Sequence, residues 1–353
     1  MNRALPSLAV VIPCRNEAPV MERKLKNLAL CLDATLQLPP VRLVIVDDAS
    51  EDDTALLAQE LCDSLFAKKP SVDAAVISND RGDGKAGAIA SALAHIGDTS
   101  EIIIMTDADV ILEKTALRDI ANSFGSRSDL GMACGSQCFV AGLSDDGHTP
   151  GTEEKPLLPA GDIYDHWTAR VRQWESRSGK LFSVHGQLLA WRAELNLKPT
   201  PGLAADDLDL MLQARKRDVR IEKLNNVHFY ELKILTGPHR KTQRIRRAQA
   251  YVQFMLTEGA RHKEKGWGGR QWWWYRTIPL SAPWLAILMQ CAVPAIGWFF
   301  AGPGASVGAF FILAAAWITP AGRTAAGLLT VIAQAQWIHN RRPLTDRWEM
   351  ARG

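Results

Sequence analysis

Four apolar, β-branched runs set the frame of this chain. They are LAVVIP (8–13), RLVIVDD (42–48), VDAAVIS (72–78) and EIIIMTDAD (101–109), separated by stretches of helical spacing at 17–36, 52–67 and 86–96. A strand that is apolar at nearly every position has no solvent face, so it belongs in a sheet covered on both sides. Strand–helix–strand rhythm of this kind winds into an α/β fold, an open and mostly parallel sheet with helices on both faces. Further along, MACGSQCFV (132–140) reads as a fifth strand and 141–160 as a loop rich in Gly, Pro and acidic residues. A helix is predicted at 162–178, a turn between short strands at 181–192, a helix at 206–217 and a strand at 220–231. The 206–217 segment is acidic at its start and basic at its end, which matches the helix dipole.

The last third of the chain is of another kind. Residues 240–262 have the spacing of a basic amphipathic helix, and from Trp272 the composition changes abruptly. Residues 278–300 carry no charge and are long enough to cross a hydrocarbon core of roughly 30 Å. Residues 304–319 are uncharged but shorter, and 324–339 include Gln334, Gln336 and His339. A buried core hairpin would share this composition, but the run Trp272-Trp273-Trp274-Tyr275 favours a membrane–water boundary. Basic residues mark the cytosolic side of short loops. Arg323, Arg341, Arg342, Arg347 and Arg352 share that side with the basic 240–276 region only if two segments cross.

The expected organisation is therefore a cytosolic domain at 1–239 and a basic interfacial region at 240–276. Membrane segments at 277–340 and a basic cytosolic tail at 341–353 follow. Two crossings are expected, at 278–300 and 304–319, with 324–339 interfacial or spanning. This describes an integral inner- or plasma-membrane protein whose large N-terminal domain is cytosolic. A net charge of +3 over 353 residues gives no bulk attraction for nucleic acid. The start, MNRALPSLAVVIPCRNE, lacks the long apolar run and cleavage site of a signal peptide. The six cysteines are scattered with no C-x-x-C pair, which indicates reduced thiols rather than a zinc site or disulfide framework.

Ligands of such sheets bind beyond the carboxyl ends of the strands. Three of those ends are polar: Pro13-Cys14-Arg15-Asn16-Glu17, Asp47-Asp48-Ala49-Ser50 and Asp107-Ala108-Asp109. A D-x-D at a strand rim can hold a hard divalent ion whose shell phosphate oxygens complete. Mg2+ or Mn2+ suits it, since no sulfur or imidazole ligands are arranged here. A solvated strand end could carry the same residues. A competing motif is Gly82, Gly84 and Gly87 in G-x-G-x-x-G spacing, with Asp107 20 residues beyond. That fits a dinucleotide fingerprint and an NAD(P)-dependent oxidoreductase. It follows the third strand instead of opening the fold, however, and leaves Asp47-Asp48, Asp206-Asp207 and the apolar tail unexplained.

Taken in order, VVIPCRNE (10–17), VDDASEDDT (46–54), TDAD (106–109), ESRSG (175–179), HGQLLAWR (185–192), ADDLDL (205–210) and QRIRR (243–247) resemble the family 2 glycosyltransferases. The resemblance covers about residues 8–250 and implies a GT-A fold. It assigns Pro13, Arg15, Glu17, Asp47 and Asp48 to the uridine pocket, and Lys85 to a basic position near the nucleotide. Asp107 and Asp109 match the metal and diphosphate motif. Asp207 matches the catalytic base, with Asp206 in the first place of the acidic pair. His185 and Gly186 fall on the acceptor floor. Gln243 and Arg246 match the first and fourth positions of Q-x-x-R-W, but Arg247 stands where the tryptophan would be. That departure speaks against processive synthesis. Arg244 and Arg247 also suit a basic face against anionic headgroups.

The reaction so implied is an inverting transfer from a UDP-sugar to a hydroxyl of a membrane lipid or lipid-linked acceptor. One general base and one displacement invert the anomeric carbon. A processive synthase subunit making a β-linked glycan is the alternative. An oxidoreductase and a non-catalytic nucleotide-sugar scaffold stand further off.

Overall fold

The structure is a computed structural model that describes residues 5–34, 39–140, 142–148, 163–232 and 238–341. Most of the acidic loop expected at 141–160, and the tail with Arg342, Arg347 and Arg352, lie outside the described residues. The chain divides into two compact units, one holding residues 1–161 and 166–235 and the other holding 236–344.

The first unit is built on one eight-stranded sheet. Its strands are β1 (Leu8–Cys14), β2 (Val41–Asp47), β3 (Val72–Ser78), β4 (Ile102–Thr106), β5 (Ile111–Leu112), β6 (Leu130–Val140), β7 (Leu188–Arg192) and β8 (Arg220–Leu232). They lie in the order β3-β2-β1-β4-β7-β6-β8-β5. The four runs read from the sequence form the parallel half, with β1 between β2 and β4 and β3 beyond β2. The other half is mixed. β7 runs antiparallel to both β4 and β6, β6 and β8 are parallel, and β5 is antiparallel to β8. The departure from an all-parallel sheet comes from the turn before Leu188. It sends β7 back along β4, so Leu188 pairs with Thr106 at the carboxyl rim.

Helices α1 (Ala18–Asp33) and α2 (Thr54–Leu65) follow β1 and β2 in one winding direction, while α3 (Gly84–Ile96) returns from β3 to β4. Right-handed crossovers therefore put α3 on the opposite face. Alternation along the strands serves both faces. Leu8, Val10, Ile12 and Cys14 of β1 join Met21, Leu25 and Leu28 of α1 in one buried cluster, while Ala9 and Val11 are buried on the other side. Helix α4 (Ala116–Ser126) packs on β8 and β6, as does α6 (Asp206–Lys216). Helix α5 spans Ile163–Arg177.

The second unit is helical. It contains α7 (Pro238–Leu256), α8 (Glu258–Arg261), α9 (Gly266–Ala301), α10 (Pro303–Ile318) and α11 (Pro320–Arg341). The single helix expected at 240–262 is broken at Thr257, whose ψ of −90 lies outside the helical range. Ala248 and Val252 of α7 pack with Ala335 of α11, and Leu280, Val331 and Ile332 border them. The aromatic run before the apolar stretch is not a uniform boundary belt. Trp272 is buried against Phe254 and His262, with ring centroids 6.2 and 4.6 Å away, and its indole N–H donates to the Gly259 carbonyl. Trp273 and Trp274 alone of the three are exposed. Helix α9 is long and apolar enough to cross a membrane, and α10 and α11 bend by 86° at their junction. The 16 residues of α10 rise only about 24 Å.

Leu25 is fully buried between α1 and the sheet. Leu25→Ala should destabilise the first unit by about 2–5 kcal/mol, which denaturant unfolding of the purified protein will measure.

Candidate active site

The rim of the parallel half begins where β1 and β2 end. Asn16 and Ala49 both take φ of +53, so each chain turns sharply after its strand. The two turns are then cross-linked. The Asn16 amide donates to Ser50 Oγ at 2.9 Å, and the Glu51 amide to Asn16 Oδ1 at 2.7 Å. The Glu17 amide donates to Thr54 Oγ1 at 2.8 Å and the Ala18 amide to Asp52 Oδ2 at 3.2 Å. Thus DASEDDT places its side chains where they satisfy the open amides at the start of α1.

Asp48 serves the next turn. One oxygen accepts from the Asn79 amide nitrogen at 2.6 Å and the other from the Gly84 N–H at 3.0 Å. Arg15 stands 3.8 Å from it. The three spaced glycines are explained here. Gly82 and Gly84 have positive φ, and a Cβ on Gly87 would lie 2.0 Å from the Gly82 carbonyl oxygen. They make the tight entry to α3 with no dinucleotide needed. Pro13 and Glu17 are buried beside these turns. Asp47 is different. Its Oδ2 accepts from the Ser50 amide, while its Oδ1 is buried with no hydrogen-bond partner among the described residues. An orphan acceptor at a strand rim is costly unless something donates to it.

The D-x-D turn lies next along the rim. The Asp107 amide donates to the Gln187 carbonyl at 3.2 Å. Lys85, from the first turn of α3, reaches Asp107 Oδ1 at 2.8 Å and Asp206 Oδ2 at 3.5 Å. Burial works against the Lys85 ammonium, but Asp107 and Asp206 outweigh it and hold its pKa above the ordinary value. Asp206 is raised by burial, with Lys85 opposing. Asp207, the following residue on α6, is pushed up to about 6 by burial and by the neighbouring Asp206. Its Oδ1 accepts the Leu208 amide at 2.8 Å.

Gly186 closes this cluster. A Cβ there would meet Asp207 Cβ at 3.1 Å and Oδ2 at 3.3 Å, so the backbone before β7 lies directly on the carboxylate. His185 is half-buried with its ring edge-on to Phe229, 5.8 Å between centroids. Asp109 is half-buried on the same turn as Asp107. Among the described residues no three His, Cys, Asp or Glu side chains converge as a ready-made metal cage. The donor set is carboxylate oxygen at a strand rim. It fits a hard ion bound by one or two carboxylates and completed by phosphate oxygens.

Gln243, Arg246 and Arg247 lie on α7 in the second unit. Gln243 and Arg246 are half-buried, whereas Arg247 is exposed like Arg244. The expected site residues of the first unit thus fall into two clusters on one sheet rim. Reading by motif passed over Asn79, whose side-chain amide donates to Asp48, Gln187, whose backbone carbonyl accepts the Asp107 amide, and Lys24, which is buried beneath the D-x-D turn.

Residues 9–172 match the family model for glycosyl transferase family 2. That similarity spans somewhat less than half of the chain. The chain's GT-A fold agrees with a solved structure, the mannosyltransferase PcManGT from Pyrobaculum calidifontis in complex with GDP-Man and Mn2+. That match has 21% identity and a TM-score of 0.71, and covers 95% of this chain and 87% of that one. Glucosyl-3-phosphoglycerate synthase from Mycobacterium tuberculosis, in complex with Mg2+ and UDP, is more distant. It has 15% identity and a TM-score of 0.46, and the match covers 71% of this chain and 79% of that one. The search of curated proteins gave no match. The expected enzyme class, a glycosyltransferase, agrees with the family match, and the oxidoreductase alternative is set aside.

Because Gly186 touches Asp207, small side chains there should displace the carboxylate and leave the sheet intact. Gly186→Ala should lower the transfer rate about tenfold and Gly186→Val about a hundredfold, with circular dichroism unchanged.

Proposed function

We propose that the chain is an inverting, divalent-metal-dependent glycosyltransferase that moves a sugar from a UDP-sugar to a hydroxyl of a membrane lipid or lipid-linked acceptor. The observation that carries this reading is the line Asp107–Lys85–Asp206 with Asp207 beside it, a charged cluster next to a carboxylate poised near neutral pH. Asp107 and Asp109 would hold Mg2+ or Mn2+. When bound, such an ion neutralises the charge that grows on the departing diphosphate.

The remaining chemistry belongs to the chain's own groups. Asp47 Oδ1 offers its open acceptor to a nucleobase N–H. Lys85 supplies fixed positive charge at the diphosphate. Asp207 takes the proton of the attacking hydroxyl. A base with a pKa near 6 is ionised at pH 7 and still a useful proton acceptor. Gly186 and His185 form the floor on which the acceptor rests.

The lipid acceptor is argued from the second unit. The most apolar 18-residue window of α9 has a mean hydropathy of 1.7 with none of it buried. Trp298, Phe299 and Phe300 near its end, and Phe311 and Ile312 of α10, are all exposed. An apolar surface of this extent belongs in lipid or against another protein. Lipid suits it, with the catalytic domain on the cytosolic side where nucleotide sugars are made. Two such helices cannot wall a pore for a growing polymer, and Arg247 replaces the expected tryptophan. Both points favour a single transfer to a lipid over processive synthesis. Helix α10 is short for a full crossing, and the 86° bend turns α11 out of its line, which suits an interfacial course for 324–339.

The deciding experiment incubates purified protein and membrane lipid extract with UDP- and GDP-sugars and Mn2+, and identifies the product by mass. One sugar added to a lipid is expected. Faster extension of a soluble oligosaccharide into long chains would overturn the acceptor assignment. EDTA should abolish turnover and added Mn2+ restore it.

Asp207→Asn should cost about 10²–10⁴ in kcat. It should not lower the melting midpoint, since burial and Asp206 disfavour the ionised side chain in the folded state. The base must be ionised to act, so kcat/KM should fall about tenfold per pH unit below about 6 and level off above it. A flat profile from pH 5 to 8 would remove Asp207 from this role.

A further inference from the structure

Helix α1 buries a lysine that the reaction does not use. Lys24 is 0% exposed. Its ammonium donates to Thr106 Oγ1 at 2.8 Å and to the Val110 carbonyl at 3.0 Å. Thr106 and Val110 are the residues on either side of Asp107-Ala108-Asp109, so one side chain joins both ends of the turn.

The same face of α1 continues the attachment. Asn27 is one helical turn further on, and such residues share a face. Its amide nitrogen donates to the Leu112 carbonyl at 2.9 Å, and its oxygen accepts the Leu112 N–H at 2.8 Å. The Asn27 amide nitrogen also donates to the Gly147 carbonyl at 2.9 Å. Cys31, another turn along, donates to the Glu113 carbonyl at 3.5 Å. Lys24, Asn27 and Cys31 thus fasten Thr106–Glu113 to α1 by a row of polar bonds inside an otherwise apolar layer.

A neutral donor would satisfy the same two oxygens at less cost. Burying an ammonium is expensive unless compensating charge is near. Burial lowers the Lys24 pKa to about 8, and the carboxylates of Asp107 and Asp109 are among the groups that oppose the fall.

We propose that Lys24 is a positioning residue. By tying Thr106 to Val110 from beneath, it keeps Asp107 and Asp109 presented together at the rim. The consequence for metal binding rests on the reading that this turn holds the divalent ion, while the clamp itself does not.

Two measurements on the full chain separate the parts. Hydrogen–deuterium exchange of the ligand-free protein reads the clamp. Lys24→Met should raise exchange in a peptide covering 106–113 about tenfold or more, with β2 unchanged. Thermal shift with UDP and graded Mn2+ reads the consequence. Lys24→Met should need about ten times more Mn2+ for half of the shift, while any shift from UDP alone stays the same. Lys24→Arg, which keeps charge and donors, should recover part of the loss. Thr106→Val removes one anchor in nearly the same volume. It should show both effects at about threefold, and it replaces Lys24→Met if that variant does not fold. Unchanged exchange at 106–113 in a folded variant overturns the proposal. So does raised exchange with a wild-type Mn2+ response, which makes Lys24 a merely structural residue. A wild-type protein that ignores UDP and Mn2+ instead removes the functional reading, and the exchange arm still decides the clamp.

Discussion

Carboxylates brought together in a crevice repel one another and lose hydration, and each resists ionising unless a cation joins them. In this chain the cation is Lys85. It stands at the first turn of α3, where the glycine turn lets the helix begin close to the rim, and its ammonium lies between Asp107 of the β4 rim and Asp206 of α6. Segments more than a hundred residues apart in sequence are thereby held in one place. The state of Asp207 follows from the same arrangement. Burial and Asp206 raise its pKa to about 6 while Lys85 restrains the rise. The sheet supplies the positions, and this charge balance sets the protonation of the proposed base.

Around that centre the loops are braced by side chains acting on backbone. Asp48 holds the glycine turn, Asp52 and Thr54 hold the start of α1, and Gln187 fixes Asp107 through its carbonyl. Several residues that look like ligands are thus occupied within the protein. Asp48 is the clearest case, since both of its oxygens already accept hydrogen bonds. Asp47, its neighbour, keeps one buried oxygen open.

The parallel half of the sheet was legible because burial on both faces leaves an unmistakable apolar run. β1 to β4 fall within a residue or two of the expected positions, apart from the longer 101–109 run, which ends as a strand at Thr106. The mixed half was not. β7 is five residues long and pairs antiparallel with two neighbours, and nothing in LLAWR states a direction. The D-x-D and the D-D pair were visible as motifs, but their junction through Lys85 is a tertiary fact. Lys24 was invisible for the opposite reason. In sequence it is one of two lysines on an amphipathic helix, where a solvated position is the ordinary outcome. Trp272 shows the same limit, since three consecutive tryptophans on one helix must point in different directions and only two of them are exposed.

The helices of the second unit obey a different accounting from the sheet. In water their exposed Phe and Ile side chains would drive association, whereas in lipid the expensive groups are the polar ones. Two glutamines of this unit behave as the second environment requires. Gln336 accepts from the Trp284 indole N–H and donates to the Leu280 carbonyl, both at 2.7 Å, and Gln290 accepts from the Trp317 indole N–H at 3.1 Å. These bonds join α9 to α10 and α11 without a salt bridge. Of the two glutamines that make 324–339 look insufficiently apolar for a membrane segment, Gln336 is therefore spent on α9, while Gln334 Oε1 is buried with no hydrogen-bond partner among the described residues. Hydropathy counted along the sequence overstates the cost of Gln336 alone. What keeps α11 from continuing the line of α10 is the break before Pro320, where Thr319 is extended. Geometry sets the proposed interfacial course of α11, and polarity alone would not.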